Sequence, residues 1–289
     1  MFGGALLLCA AGAQGADAPI PHGTLELVAE SRWVTPGHGF SLGLHFQLEK
    51  GWHIYWLNPG DSGEPPHVTW HLPPGLTPGA IEWPAPRRLG KSSIVDFGYE
   101  DAVTLIVPVH AESNLAAQPL ASLGAEIKVL VCREVCIPGK TQLSLTLPIK
   151  SQPPPPDVRT REWFAAARKD LPRPAPQNWE FSVDDAKDSF VLAANLGAQI
   201  TQATFFPVAE AQIDNSAPQV LLPRPSGFRL TLRKSDRLLK PIERLKGVVV
   251  LPGNRAYLVD APVNKRDARN NKSIGGIQET QSSKEGPRK

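Results

Sequence analysis

From Phe40 to Leu48 the chain alternates strictly: Phe40, Leu42, Leu44, Phe46 and Leu48 share one face, with Ser41, His45 and Gln47 on the other. A period of two suits an extended strand with one buried face; a helix would repeat its apolar stripe about every 3.6 residues. The pattern returns at Leu143, Leu145 and Leu147, and again at Phe228, Leu230 and Leu232. Further strands are expected at 24–29, 68–72, 103–109, 125–131, 190–193, 203–206, 247–251 and 256–259. Asn58-Pro-Gly-Asp, Pro73-Pro-Gly and Pro138-Gly supply turns between them. With 30 Pro and 24 Gly in 289 residues, short strands joined by many turns are expected, and hence an all-β fold of packed sheets.

One helix is expected, over 159–171, with Trp163, Phe164 and Ala167 on one side and Pro172 as its stop. The run Pro153-Pro-Pro-Pro before it reads as a stiff linker. The chain then divides into a first β-sandwich (20–150), a Pro-rich linker and helix (151–176), a second β-sandwich (177–263) and a polar tail (264–289) expected to be disordered. The tail is rich in Lys and Arg; without it the formal charge of +3 becomes −1, so no basic body faces nucleic acid. In the second sandwich Arg229, Arg233, Lys234 and Arg237 read as a solvated face.

Residues 1–18 are expected to be a signal peptide. Ala5 to Ala11 form a short apolar core followed by small residues, far below the roughly 20 residues of a spanning helix. No Lys or Arg precedes Arg32, so the basic start of the leader is atypical or clipped. Cys9 follows a leucine, a poor context for lipid attachment. With Cys9 removed, an exported chain keeps two cysteines, Cys132 and Cys136.

The two form a C-x3-C. In a continuous strand their Cα atoms would lie about 13 Å apart, whereas a disulfide needs about 4.4–6.8 Å. Pairing therefore requires a tight turn at the mouth of a hairpin. So short a loop stabilises the fold by only about 1–2 kcal/mol, a weak reason for a bridge. Structural disulfide, redox pair and metal ligation all remain open on these residues, and Arg133 and Glu134 oppose each other in their effect on a thiolate. Trp52, Tyr55, Trp56, Trp70 and Trp83 gather in one stretch with His45, His53, His67 and His71. They fit a sandwich core, a sugar-stacking platform or a copper or zinc site. His45 lies on the polar face of its strand and reads as solvated.

Four segments together narrow this. Gly51-Trp-His-Ile-Tyr-Trp-Leu-Asn-Pro-Gly-Asp-Ser-Gly, Ile81-Glu-Trp-Pro-Ala-Pro, Phe97-Gly-Tyr-Glu and Val131-Cys-Arg-Glu-Val-Cys-Ile-Pro resemble the amino-terminal periplasmic region of the thiol:disulfide interchange protein family, the DsbD-type and ScsB-type protein-disulfide reductases. The resemblance continues through Ala203-Thr-Phe-Phe-Pro and Ile213-Asp-Asn-Ser-Ala-Pro-Gln, and so covers about 25–263. It implies two immunoglobulin-like sandwiches, with Cys132 and Cys136 as the redox pair of the first. It implies an aromatic cap at the Phe97–Tyr99 loop, with Tyr55 and His53 as further neighbours of the pair. It also implies a periplasmic location, a link to cytochrome c biogenesis, and electrons arriving from a membrane-embedded thiol reductase through a thioredoxin-like domain and leaving to oxidised periplasmic proteins. Neither of those two domains lies within this chain, which is then a stand-alone subunit or a truncated frame. No cofactor is expected. A non-catalytic exported binding module with a structural disulfide, and a periplasmic copper-handling protein, are the competing readings. The second sandwich is expected to carry no chemistry of its own.

Overall fold

The computed structural model describes residues 17–90, 94–115 and 119–265. The expected leader and tail fall outside them, except at their inner ends. Eleven strands build the first unit: β1 (Asp17–Ile20), β2 (Gly23–Ala29), β3 (Phe40–Leu48), β4 (His53–Gly60), β5 (His67–His71), β6 (Leu76–Pro78), β7 (Arg87–Leu89), β8 (Asp96–Glu100), β9 (Ala102–Ala111), β10 (Leu120–Cys132) and β11 (Cys136–Pro148). One layer runs β1-β2-β3-β9-β6 and the other β11-β10-β4-β8-β7, with β5 added to β10. Their facing sides bury Leu25, Leu42, Leu44 and Phe46 against Ile54, Trp56, Ile127 and Leu145, as the alternation requires. Asp17 and Ala18 pair with Glu26 and Leu25 in β1, so a leader ending at 18 would cut into a strand.

The helix α1 (Arg161–Asp170) is slightly shorter than expected. It ends because Leu171, next to Pro172, is extended, as a residue before proline prefers. Thr160 at its start donates its hydroxyl to the Ala29 carbonyl (2.8 Å) rather than capping the helix, and Phe164 and Ala167 are buried against β2 and β9. The helix also covers His45. That side chain is not solvated: it stacks on Trp163 with centroids 3.9 Å apart and meets Thr104 Oγ1 through Nδ1 at 2.9 Å. Nor is the proline run a free spacer. Arg32 N–H donates to the Pro155 carbonyl and Asp157 N–H to that of Glu30, which lays the segment along the first sandwich.

The second unit comprises β12 (Glu180–Asp185), β13 (Ser189–Asn195), β14 (Thr204–Pro207), β15 (Val220–Arg224), β16 (Gly227–Arg233), β17 (Arg244–Leu251) and β18 (Arg255–Lys265), in the order β14-β17-β18-β12-β13-β16-β15. β18 joins two layers. Its first part pairs antiparallel with β17, and Val263, Asn264 and Lys265 pair in parallel with β12. Residues 264 and 265 are therefore strand rather than tail. The cations expected on a solvated face have partners: Arg229 on Asp184, Lys234 on Asp185, and Arg233 near Asp214 at 3.7 Å. The architecture is all-β apart from α1, two sandwiches of immunoglobulin-like type. Their cores touch, because Phe206, Val248 and Ala256 of the second pack into the core of the first.

Candidate functional site

The cysteines close the β10–β11 hairpin. Cys132 stands opposite Cys136 at the end of a ladder that begins at Leu120 and Pro148. Their Cα atoms are 4.1 Å apart and the sulfurs are bonded at 2.11 Å. The turn at 133–135, tied by Arg133 N–H on the Val135 carbonyl, removes the extended separation. The disulfide is present where the hairpin reading expected it. The two sulfurs are unequal: Cys132 is buried, with 2% of its surface accessible, while Cys136 is exposed beside the projecting Val135.

On its other edge Cys132 pairs with His53 of β4, and His53 pairs with Glu100 of β8. Paired residues point to the same side of a sheet, so Cys136, Cys132, His53 and Glu100 form a row across one face. Along β4 the alternation adds Tyr55 to that face and turns Ile54 and Trp56 inward. Tyr55 completes the site: its hydroxyl lies 3.5 Å from Cys136 Sγ, and its ring meets that of His53 edge-on at 5.2 Å. A disulfide sulfur has no hydrogen, so the phenol donates.

The same parity corrects the expected cap. Phe97 and Tyr99 are not in a loop; they lie in β8, where Tyr99 pairs with Ile54 and therefore points into the sandwich. Phe97 packs edge-on against Phe206 at 5.1 Å, and Tyr99 donates its hydroxyl to the Pro84 carbonyl at 2.7 Å. Both side chains are buried on the face opposite the disulfide. Gly98, between them, faces Tyr55, and a Cβ there would come 2.1 Å from the Ile54 carbonyl oxygen.

What covers the outer face is the segment 61–66. Tyr55 is wholly inaccessible although it points outward, because Gly63 lies flat on its ring: a Cβ at Gly63 would fall 2.1 Å from Tyr55 Cζ, and its φ of +79° also favours glycine. Ser62 fixes the segment to the sheet, donating both its N–H (3.0 Å) and its hydroxyl (2.9 Å) to Asp96 Oδ1. Asp61 and Val95 exchange two further bonds, Val95 N–H to Asp61 Oδ2 and Asp61 N–H to the Val95 carbonyl. Sequence reasoning took Asn58-Pro-Gly-Asp for a plain turn. In fact Asn58, Pro59 and Gly60 form the irregular end of β4. The signal for a covering segment lay in the Asp61-Ser62-Gly63 run itself.

Burial governs the electrostatics. It pushes Tyr55 up, with the Asp96 carboxylate adding to the effect and Ser62 opposing it, so the phenol stays protonated. It also pushes Asp96 up against the counter-effect of Ser62 and His53. It pushes His53 down from its ordinary 6.5, with Asp96 and Glu100 opposing, and leaves Nε2 buried with no partner. Near the turn, the Arg133 guanidinium sits 5.0 Å from the Trp52 ring centroid, and Trp52 stacks on His22. Among the described residues, no three His, Cys, Asp or Glu side chains come together to hold a metal ion.

His45 is pushed down by burial in the same way, and the two histidines set a pH dependence. The unfolded chain takes up protons near pH 6.5, but the folded chain does so only at lower pH. Stability is therefore complete above about pH 6.5 and falls as the pH drops towards the folded values. Thermal melts should show the midpoint decreasing from pH 7.5 to pH 5.5, and His45→Gln should flatten that slope. A midpoint independent of pH across this range would mean that neither histidine is held neutral by the fold.

Comparison with known proteins places this geometry. Residues 25–148 match the family described as thiol:disulfide interchange protein DsbD, N-terminal. The crystal structure of the N-terminal periplasmic domain of ScsB from Proteus mirabilis superposes with a TM-score of 0.64 at 18% identity, covering 86% of this chain and 99% of that one. At that identity the likeness speaks for the fold, and it extends over both sandwiches. No curated protein sequence matches.

Proposed function

We propose that the chain, whose residues 25–148 match the DsbD N-terminal family and whose first sandwich holds a Cys132–Cys136 disulfide, is a periplasmic thiol–disulfide exchange module that passes electron pairs between protein partners. The observation that carries the reading is the asymmetry of the pair: one exposed sulfur with a phenol donor, one buried sulfur beside an unpartnered histidine. A purely structural bridge at the mouth of a hairpin has no use for either neighbour.

In the electron-accepting direction, a thiolate of a reduced partner attacks Cys136 Sγ, because Cys136 is the exposed member of the pair and Cys132 is buried. The Cys132–Cys136 bond breaks and Cys132 leaves as a thiolate, with neutral His53 beside it to relay a proton from solvent to that sulfur. The partner's second thiolate then attacks its own sulfur in the mixed disulfide. Cys136 is released as a thiolate, and the Tyr55 hydroxyl donates to it. Two electrons have entered the chain and the partner leaves oxidised. Run backwards, Cys136 attacks the disulfide of an oxidised protein and Cys132 resolves the mixed disulfide. The family likeness supports a membrane-embedded reductase with a thioredoxin-like domain as the electron source, and oxidised periplasmic proteins as acceptors. The likeness to a periplasmic domain supports export, and the Pro-rich segment and helix between the two sandwiches support a division near residues 150 and 177.

Titration against glutathione buffers tests the reading. An exchange module should show a potential in the range of exchange proteins, about −120 to −270 mV, whereas a structural bridge lies below about −300 mV. A value in the second range would leave the chain as a binding module with a staple.

A further inference from the structure

The segment over Tyr55 belongs to the first sandwich, but the first sandwich does not hold it alone. The Asp61 carboxylate that anchors it accepts at Oδ1 from Asn215 Nδ2 of the second sandwich, at 2.9 Å. Asn215 is 3% exposed and well fixed: Arg88 of β7 donates to its carbonyl at 2.5 Å, and Asp214 Oδ1 ties the turn by accepting from Ser216 and Ala217. Its own Oδ1 is buried without a partner. The amide is thus placed for its N–H, since flipping it would set oxygen against the Asp61 oxygen. Arg237 adds a distant charge to Asp61 at 3.9 Å. Just upstream, Asn58 Nδ2 donates to the Pro207 and Ala209 carbonyls at 2.8 and 3.3 Å, so both ends of the turn at 59–60 are tied to the second unit.

From this chain of contacts we propose that Asn215 is a positioning residue for the redox pair, holding segment 61–66 down on Tyr55 and thereby fixing the hydroxyl that touches Cys136. The proposal rests on the exchange reading of the cysteines, and it gives the second sandwich, expected to carry no chemistry of its own, a share in holding the site. The links run in sequence. Asn215 holds Asp61, Ser62 next to it locks onto Asp96, Gly63 presses the Tyr55 ring, and the phenol reaches Cys136 Sγ. Without Asn215 the Asp61 carboxylate loses a buried donor and the segment can lift. Tyr55 then gains rotational freedom, and a Cys136 thiolate loses its donor for part of the time.

The test uses the full chain, reduced with dithiothreitol and alkylated with iodoacetamide over a pH series. Trypsin separates the two sulfurs, because Arg133 lies between them: peptide 129–133 carries Cys132 and peptide 134–140 carries Cys136. A hydrogen bond to a charged group is worth enough to move the Cys136 profile by about one pH unit. Asn215→Ala should shift the half-maximal pH of Cys136 alkylation upward by about that amount. Tyr55→Phe should do the same, and the double variant should shift it no further. Asp61→Ala breaks the same contact from the first sandwich and serves where Asn215→Ala fails to fold. Exchanging the partners, Asp61→Asn with Asn215→Asp, keeps one donor facing one acceptor and should restore the parent profile. A Cys136 profile that follows Tyr55→Phe but ignores both Asn215→Ala and Asp61→Ala would overturn the proposal, as would shifts that add in the double variant. The glutathione potential of the parent is a separate measurement, so failure of the exchange reading and failure of the positioning role are distinguishable.

Discussion

A Cys132→Ser chain should capture its partner and stop. Cys136 stays exposed and free to react, but the sulfur that would resolve the mixed disulfide is gone. Incubated with an oxidised substrate protein, the reduced variant should accumulate a covalent adduct, visible on non-reducing gels and released by dithiothreitol. Its turnover should fall by more than about a thousandfold, the scale expected when one of two groups acting as a unit is lost. Cys136→Ser should be equally inactive and form no adduct, because the remaining Cys132 is buried. Adducts forming equally through both single cysteines would remove the asymmetry on which the roles are assigned. Loss of function without adduct in either variant would favour a bridge that merely staples the hairpin.

The second large effect concerns stability. Phe206→Ala should destabilise the chain by about 3–5 kcal/mol, the usual cost of emptying a buried aromatic site. Phe206 sits in β14 of the second sandwich yet lies edge-on to Phe97 and Trp56 of the first, with 3% of its surface accessible. The ring fills the space between two other aromatic rings, and removing it leaves a cavity whose lining loses those contacts. Urea unfolding followed by tryptophan fluorescence should show the loss as a lowered midpoint, because Trp56 reports from the first core. A loss below about 1 kcal/mol would mean that the ring is easily replaced and that the two cores meet only loosely.

Period-two patterns were legible wherever one face of a strand meets the core and the other meets water. The pattern at Phe40–Leu48 gives β3 with its bounds, and the Leu143–Leu147 alternation lies within β11. Legibility failed in β8, where Asp96, Phe97, Gly98, Tyr99 and Glu100 present a glycine between two aromatics. Read locally, that is a turn. In the fold the glycine is there because the Ile54 carbonyl passes within contact of its Cβ position, and the aromatics alternate inward like any strand residues. The cysteine hairpin was legible only on condition that the two sulfurs pair: in a strand context the bond then demands a tight turn, while the spacing alone left metal ligation open. The Asp61–Asn215 contact was not, because 154 residues separate the two side chains and no periodic pattern marks a carboxylate meeting an amide across two domains. The contact between the two sandwiches was illegible for the same reason: composition shows where a linker can be, and says nothing of what the linked units share.

The unbroken ladder from Leu120–Pro148 to Cys132–Cys136 has a kinetic meaning. When the disulfide opens, the two strands stay in register, so the freed thiols remain neighbours. Each sulfur then faces the other at an effective concentration far above that of any protein in solution. On the proposed exchange reading, an unproductive adduct on Cys136 is therefore expelled by Cys132 before a second molecule arrives, and the hairpin clears partners that dock badly and leave slowly.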